Sequence, residues 1–125
     1  MKKFNFPLER MLNYQEQDLE KERGIMSRLL AARTGLEEKR LRLMEEMEEI
    51  QSERGKEIRK GTTIFSLRSS SVLLVSGKKQ LEEIRNELNR IDEEIEKQRQ
   101  IVVSVSQEVK KLENLKEKQL EEYRH

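Results

Sequence analysis

Few side chains in this sequence could make or break a bond. One histidine, His125, sits at the C-terminus, and there is no cysteine. An imidazole without a second His or Cys has nothing with which to complete a metal site. The absence of thiols also removes a thiolate nucleophile, a disulfide framework and a cysteine-ligated metal. Carboxylates occur in adjacent pairs, Glu45 with Glu46 and Glu48 with Glu49. Sequence neighbours on a helix do not converge on a common pocket, so these read as a solvated face. Gly24, Gly35, Gly55, Gly61 and Gly77 are isolated and build no phosphate-cradling loop. They read as tolerated helix glycines or as points of close approach to a partner. The expectation is a chain with no catalytic residue, no metal and no cofactor.

What remains is recognition by shape and apolar surface, which depends on the elements that carry it. From Leu8, one set of positions recurs every seven residues as Leu8, Gln15, Glu22, Leu29, Leu36, Leu43 and Ile50. A second set interleaves at steps of four and three as Leu12, Leu19, Met26, Arg33, Arg40, Met47 and Arg54. Most of these are apolar, which marks a heptad seam. The three Arg residues interrupt it, but a long Arg stem can lie along the seam while its guanidinium reaches water or a carboxylate.

Pro7 suits the first turn of a helix and Asn5 could cap it, so helix one is predicted to start near residues 5 to 7. Gly55, Gly61 and the basic residues Arg54, Lys56, Arg59 and Lys60 place its end between 55 and 61. Thr62 to Gly77 then changes character to Ser and β-branched residues, with Phe65, Leu67, Val72, Leu73 and Leu74 among them. This is read as the reversal, preferably a helical tip with helix two beginning between Ser66 and Lys78; a short strand or irregular connection is also compatible with its propensities. Its apolar residues exceed what a turn requires, so they either close the end of the hairpin or form an exposed contact surface. From Leu74 the seam resumes through Leu81, Ile84, Leu88, Ile91, Ile95, Gln98, Val102, Val105, Val109 and Leu112. Lys116 and Gln119 then break it, and the last turns are expected to fray or to await a partner.

The fold expected is all-α, a long antiparallel two-helix coiled-coil hairpin in one domain over residues 1–125. Helix one would run over about 6–58, the tip over about 59–77 and helix two over about 78–123. At 1.5 Å per residue each helix would reach roughly 70 Å. A parallel dimer of unbroken helices is the alternative, disfavoured by Gly61, the Ser69 to Ser71 run and Gly77.

Composition agrees. Charged residues make up 41% and aromatics 4%, too lean for a thick core but sufficient for a narrow seam. Lys and Arg number 26 against 25 Asp and Glu, a net charge of +1. Interleaved signs, as in Glu37, Glu38, Lys39 and Arg40, make a poor phosphate track, so no nucleic-acid partner is expected. Met1, Lys2 and Lys3 lead into Glu9 and Arg10 before any apolar run, unlike a secretory signal. Val72 to Val75 is far too short to cross a bilayer.

The ends of the chain carry a family resemblance. Lys3, Phe4, Asn5, Phe6, Pro7, Leu8, Glu9, Arg10, Met11 and Leu12 look like the N-terminal pattern of the FliJ family of flagellar type III export proteins: Phe, polar, Phe, variable, Leu, then Leu. Val109 to Leu120, with Leu112, Glu113, Leu115, Lys116, Glu117 and Lys118, is similar to that family's C-terminal motif. The resemblance implies a small cytoplasmic stalk whose termini enter the hexameric flagellar export ATPase. The other end of the stalk would reach the cytoplasmic domain of the membrane export gate, and export chaperones would also bind. Such a protein is peripheral to the inner membrane through protein partners only.

The family's gate-contacting rows fall here on Lys39, Leu43, Glu46 and Ile50 and on Leu73, Gly77, Gln80 and Ile84. Leu43 matches, and Ile50 and Leu73 keep apolar character, so these three are the candidate gate contacts. Leu12 and Leu115 are the candidates at the ATPase end. The chain stops at Tyr123, Arg124 and His125, before the charged tail usual after the family motif. A generic coiled-coil scaffold or a holdase chaperone without an ATPase partner is the other reading the sequence allows.

Overall fold

A computed structural model describes residues 3–125; Met1 and Lys2, at the basic start, lie outside the described residues. Two helices account for nearly all of it, α1 over Glu9–Lys60 and α2 over Ile64–Arg124, and there is no strand among the described residues. The fold is the expected all-α helical hairpin. The chain divides into two compact units, the first made of residues 1–30 with 94–125 and the second of residues 31–93.

In the first unit the segments of α1 and α2 pair antiparallel. Lys116 reaches Glu9 at 2.8 Å and Gln98 reaches Glu22, so partners on α2 fall in number as those on α1 rise. Phe6, Leu12, Leu19, Val109 and Leu112 form a buried cluster, with Phe4, Leu8, Val102 and Val105 packed around it. Burying side chains of this size contributes about 1.5–3 kcal/mol each.

Helix α1 begins at Glu9, slightly later than Pro7 and Asn5 suggest. Phe6 explains the delay. Its carbonyl accepts the Glu9 N–H at 3.0 Å across Pro7 and Leu8, and this turn places the Phe6 ring in the core. The last turns, expected to fray or to await a partner, are helical here. Lys116 is half-buried against Glu9, and α2 runs on to Arg124, where the Tyr123 ring meets Phe4 at 5.5 Å between centroids.

In the second unit the pairing is again antiparallel, from Arg33 on Asp92, through Met47 beside Gly77, to Glu57 on Ser66. The connection here corrects the sequence reading. It occupies residues 61–63 rather than 59–77, and α2 starts about four turns before residue 78. Three groups make so short a reversal possible. Gly61 takes a positive φ of 88°, open to glycine without strain. Thr63 caps α2, its Oγ1 accepting the Ser66 N–H at 3.1 Å. Ser66 Oγ donates to Glu57 Oε2 at 3.0 Å and ties the two helices together just beyond the turn.

The serine-rich stretch stays helical because the seam runs through it unseen. Leu67, Ser70, Leu74, Gly77 and Leu81 extend the three-four spacing backward from Ile84, and all five are buried or half-buried. Two are too small to register as apolar. Gly77 is buried, and a Cβ there would lie 2.7 Å from Met47 Sδ, so the thioether occupies space that only glycine leaves open. Every predicted seam position from Leu8 to Ile50, from Leu12 to Arg54 and from Leu74 to Gln119 is buried or half-buried.

Candidate partner-binding surfaces

The polar members of the seam are matched across it. Gln98, among the buried residues, donates from Nε2 to the Glu22 carbonyl at 2.9 Å and to Glu22 Oε2 at 2.5 Å. A polar pair inside an apolar seam fixes register, because a slip by one heptad would strand both groups. This pairing went unread in the sequence, where Glu22 and Gln98 are only two gaps in separate patterns.

In the second unit the seam arginines form a charged cluster. Arg33 Nε donates to Asp92 Oδ1 at 2.6 Å, and Arg40 Nε donates to Glu37 Oε1 at 3.0 Å. The bond from Asp92 holds the Arg33 proton more firmly than usual, with Coulombic attraction from the same carboxylate adding to it. Arg40, by its hydrogen bond, lowers the Glu37 pKa. These four residues and Leu81 and Leu88 line one open groove. Arg54, the third seam arginine, buries its Nε without a hydrogen-bond partner. It lies in a second groove with Ile50, Ser66, Ser70 and Leu73.

That second groove brings together two of the three candidate gate contacts. Ile50 is half-buried and Leu73 is 56% exposed, and both line it. Leu43 is half-buried two turns earlier on α1 and is not among the groove residues. Of the rest of the two rows, Lys39, Glu46 and Gln80 are exposed, whereas Gly77 and Ile84 are built into the seam. In the first unit Leu12 is a core residue at 3% exposure, while Leu115, on α2 beside the seam positions Leu112, Lys116 and Gln119, is 37% exposed. Leu12 therefore positions this surface from inside, and Leu115 is the member a partner can touch.

The largest apolar exposure lies in the stretch read as a turn. Phe65 is 80% exposed, and Ile64, Val72, Leu73 and Val75 are open as well. The sequence signalled the apolar residues but not their common outward face, which needs the helix to start at Ile64. No helix among the described residues is long and apolar enough to cross a membrane. Nor, among them, do three His, Cys, Asp or Glu side chains come together in a way that could hold a metal ion.

A family described as flagellar FliJ protein matches residues 4–125, essentially the whole chain. No curated protein matches, and no solved structure does.

Proposed function

This chain belongs to the FliJ family, and so to the components of flagellar protein export, and we propose that it acts there as a coiled-coil stalk in type III secretion. In this reading it binds the hexameric export ATPase through the surface around Leu115 and the cytoplasmic domain of the export gate through Leu43, Ile50 and Leu73. It also receives export chaperones and works in the cytoplasm, held at the inner membrane face by the export apparatus. The observation that carries the reading is the family match over nearly the full length. Two features support its residue assignments. The candidate contacts fall in different units, and each unit keeps at least one of them open on its surface, Leu73 in one and Leu115 in the other. A hairpin held by its own seam can present both surfaces without help from a partner.

The test is a triple substitution, Leu43→Ala, Ile50→Ala and Leu73→Ala, set against Leu115→Ala in pull-downs with the gate domain and with the ATPase. The triple variant is expected to lose gate binding and keep the ATPase; Leu115→Ala is expected to do the reverse and to reduce any effect of the chain on ATPase turnover. Circular dichroism establishes that both stay helical. Equal loss of both partners from a folded variant, or loss of neither, would return the chain to a generic scaffold or holdase.

A further inference from the structure

The first turns of α2 combine two properties that no seam requires. Ile64, Phe65, Val72, Leu73 and Val75 are all more than half exposed. At roughly 100° per residue they sweep about 180° of the helix surface, opposite the inward-facing Leu67, Leu74 and Gly77. Charge is sorted over the same stretch. From Ile58 to Leu81 there is no Asp or Glu, while Arg59, Lys60, Arg68, Lys78 and Lys79 are all basic. The whole chain carries a net charge of only +1, so the other residues together are net acidic. The interleaving of signs that holds elsewhere fails here.

We propose that this face of α2 docks directly on an anionic lipid surface, lying in the plane of the headgroups. The breadth of the apolar arc favours a bilayer over a partner helix, since a coiled-coil contact needs only a narrow stripe, whereas an interfacial helix sinks a wide face among the acyl chains. Arg68 and Lys79 project from within the arc, and their long stems reach from a buried backbone up to phosphate. Free phosphate or a phosphate backbone would use the cations but leaves the Ile, Val and Leu side chains without a role. Leu73 belongs both to this face and to the proposed gate contacts, so at that one side chain the two readings compete; the other four apolar residues and the cations take no part in the gate or ATPase contacts.

The full chain is to be sedimented with vesicles of phosphatidylcholine alone and with phosphatidylglycerol added. Binding is expected only to the anionic vesicles and is expected to weaken with salt. Arg68→Gln and Lys79→Gln should each weaken it roughly fivefold. The double variant Phe65→Ser with Val72→Ser should weaken it at least about tenfold. All four side chains point outward, so circular dichroism should show unchanged helicity. As a direct reading of depth, Phe65→Trp should shift its emission to the blue on anionic vesicles, whereas Ser104→Trp should not. Equal binding to neutral vesicles, or full binding by the double variant, overturns the proposal. So does retention by an immobilised acidic amphipathic peptide without vesicle binding, which would assign the face to a protein helix.

Discussion

The two units use the same pair of helices to different ends. In the first, an apolar cluster forms most of the seam, with Phe6, Leu12 and Leu19 from the α1 side meeting Val109 and Leu112 from α2, and the Glu22–Gln98 pair is its buried polar point. In the second, α1 contributes no fully buried residue at all, and its seam positions include Arg33, Arg40 and Arg54. Leu74, Ile84 and Leu88 are buried there, but all three belong to α2. Apolar side chains that could have closed that seam, such as Phe65 and Val72, face outward instead. A helix pair has little apolar surface to allocate, and here the first unit buries more of it in its seam, while the second leaves its most exposed apolar side chains on the first turns of α2.

If that contrast is right, the largest losses come from the first unit. Leu12→Ala should cost about 2–5 kcal/mol, as removing a buried Leu does, and Leu112→Asp should cost more, because it buries a charge. Leu43→Ala, half-buried in the second unit, should cost clearly less than Leu12→Ala. Thermal melts followed by circular dichroism measure all three, and equal losses for Leu43→Ala and Leu12→Ala would break the contrast. Within the second unit's seam, Leu88→Asp should still exceed exposed Glu94→Ala by several kcal/mol, on the order of the cost of an unpaired buried charge.

Two glycines sharpen the comparison at smaller magnitude. Gly35 has nothing within 4 Å of where a Cβ would sit. Gly35→Ala should therefore stabilise by up to about 1 kcal/mol, the helix propensity difference alone. Gly77 meets the Met47 thioether instead. Gly77→Leu should destabilise by about 1–3 kcal/mol through overpacking, despite the better helix former. Pairing it with Met47→Ala should recover much of the loss, because the space the new side chain needs is the space Met47 fills. No recovery in the double variant would mean that the close approach at this point is not what excludes a side chain.

These same residues show where sequence reading succeeds and where it stops. The heptad was legible because Leu, Ile and Val at three-four spacing leave few alternatives to a seam, and those positions all turn inward. The start of α2 was not, since the seam there passes through Ser70 and Gly77, whose fit depends on what lies opposite. Propensity marked the stretch as a turn, whereas the reversal needs only Gly61 and the Thr63 cap. Phe6 was legible as part of a family pattern but not as core, because it precedes the helix whose periodicity would have revealed it. Of the candidate contacts, apolar character was readable at Leu12 and Leu115 alike. Burial separates them, and burial depends on helix phase against a partner segment some hundred residues away.

The smallest effect expected is a dependence on pH, and it too separates the units. Glu37 accepts from Arg40, and its pKa lies below the usual 4.5. A group whose folded pKa is depressed binds a proton less readily than in the unfolded chain, so its contribution is complete above the ordinary glutamate range and fades as pH falls through the folded value. Arg33 has the opposite shift, its pKa raised by the hydrogen bond to Asp92 and by the same carboxylate's charge, so it keeps its proton throughout the acid range. Acid below the ordinary glutamate range should therefore loosen the second unit slightly by way of Glu37 while leaving the guanidinium of Arg33 charged. Both side chains are still partly exposed, so screening by water and salt keeps the change small. Amide hydrogen exchange resolved along the chain can read it. Protection around Glu37 should fall on acidification more than protection around Leu12, where the seam is carbon. Glu37→Gln should remove the difference, and added salt should shrink it. An equal response of both units in the Glu37→Gln variant and the parent would show that the acid sensitivity arises elsewhere.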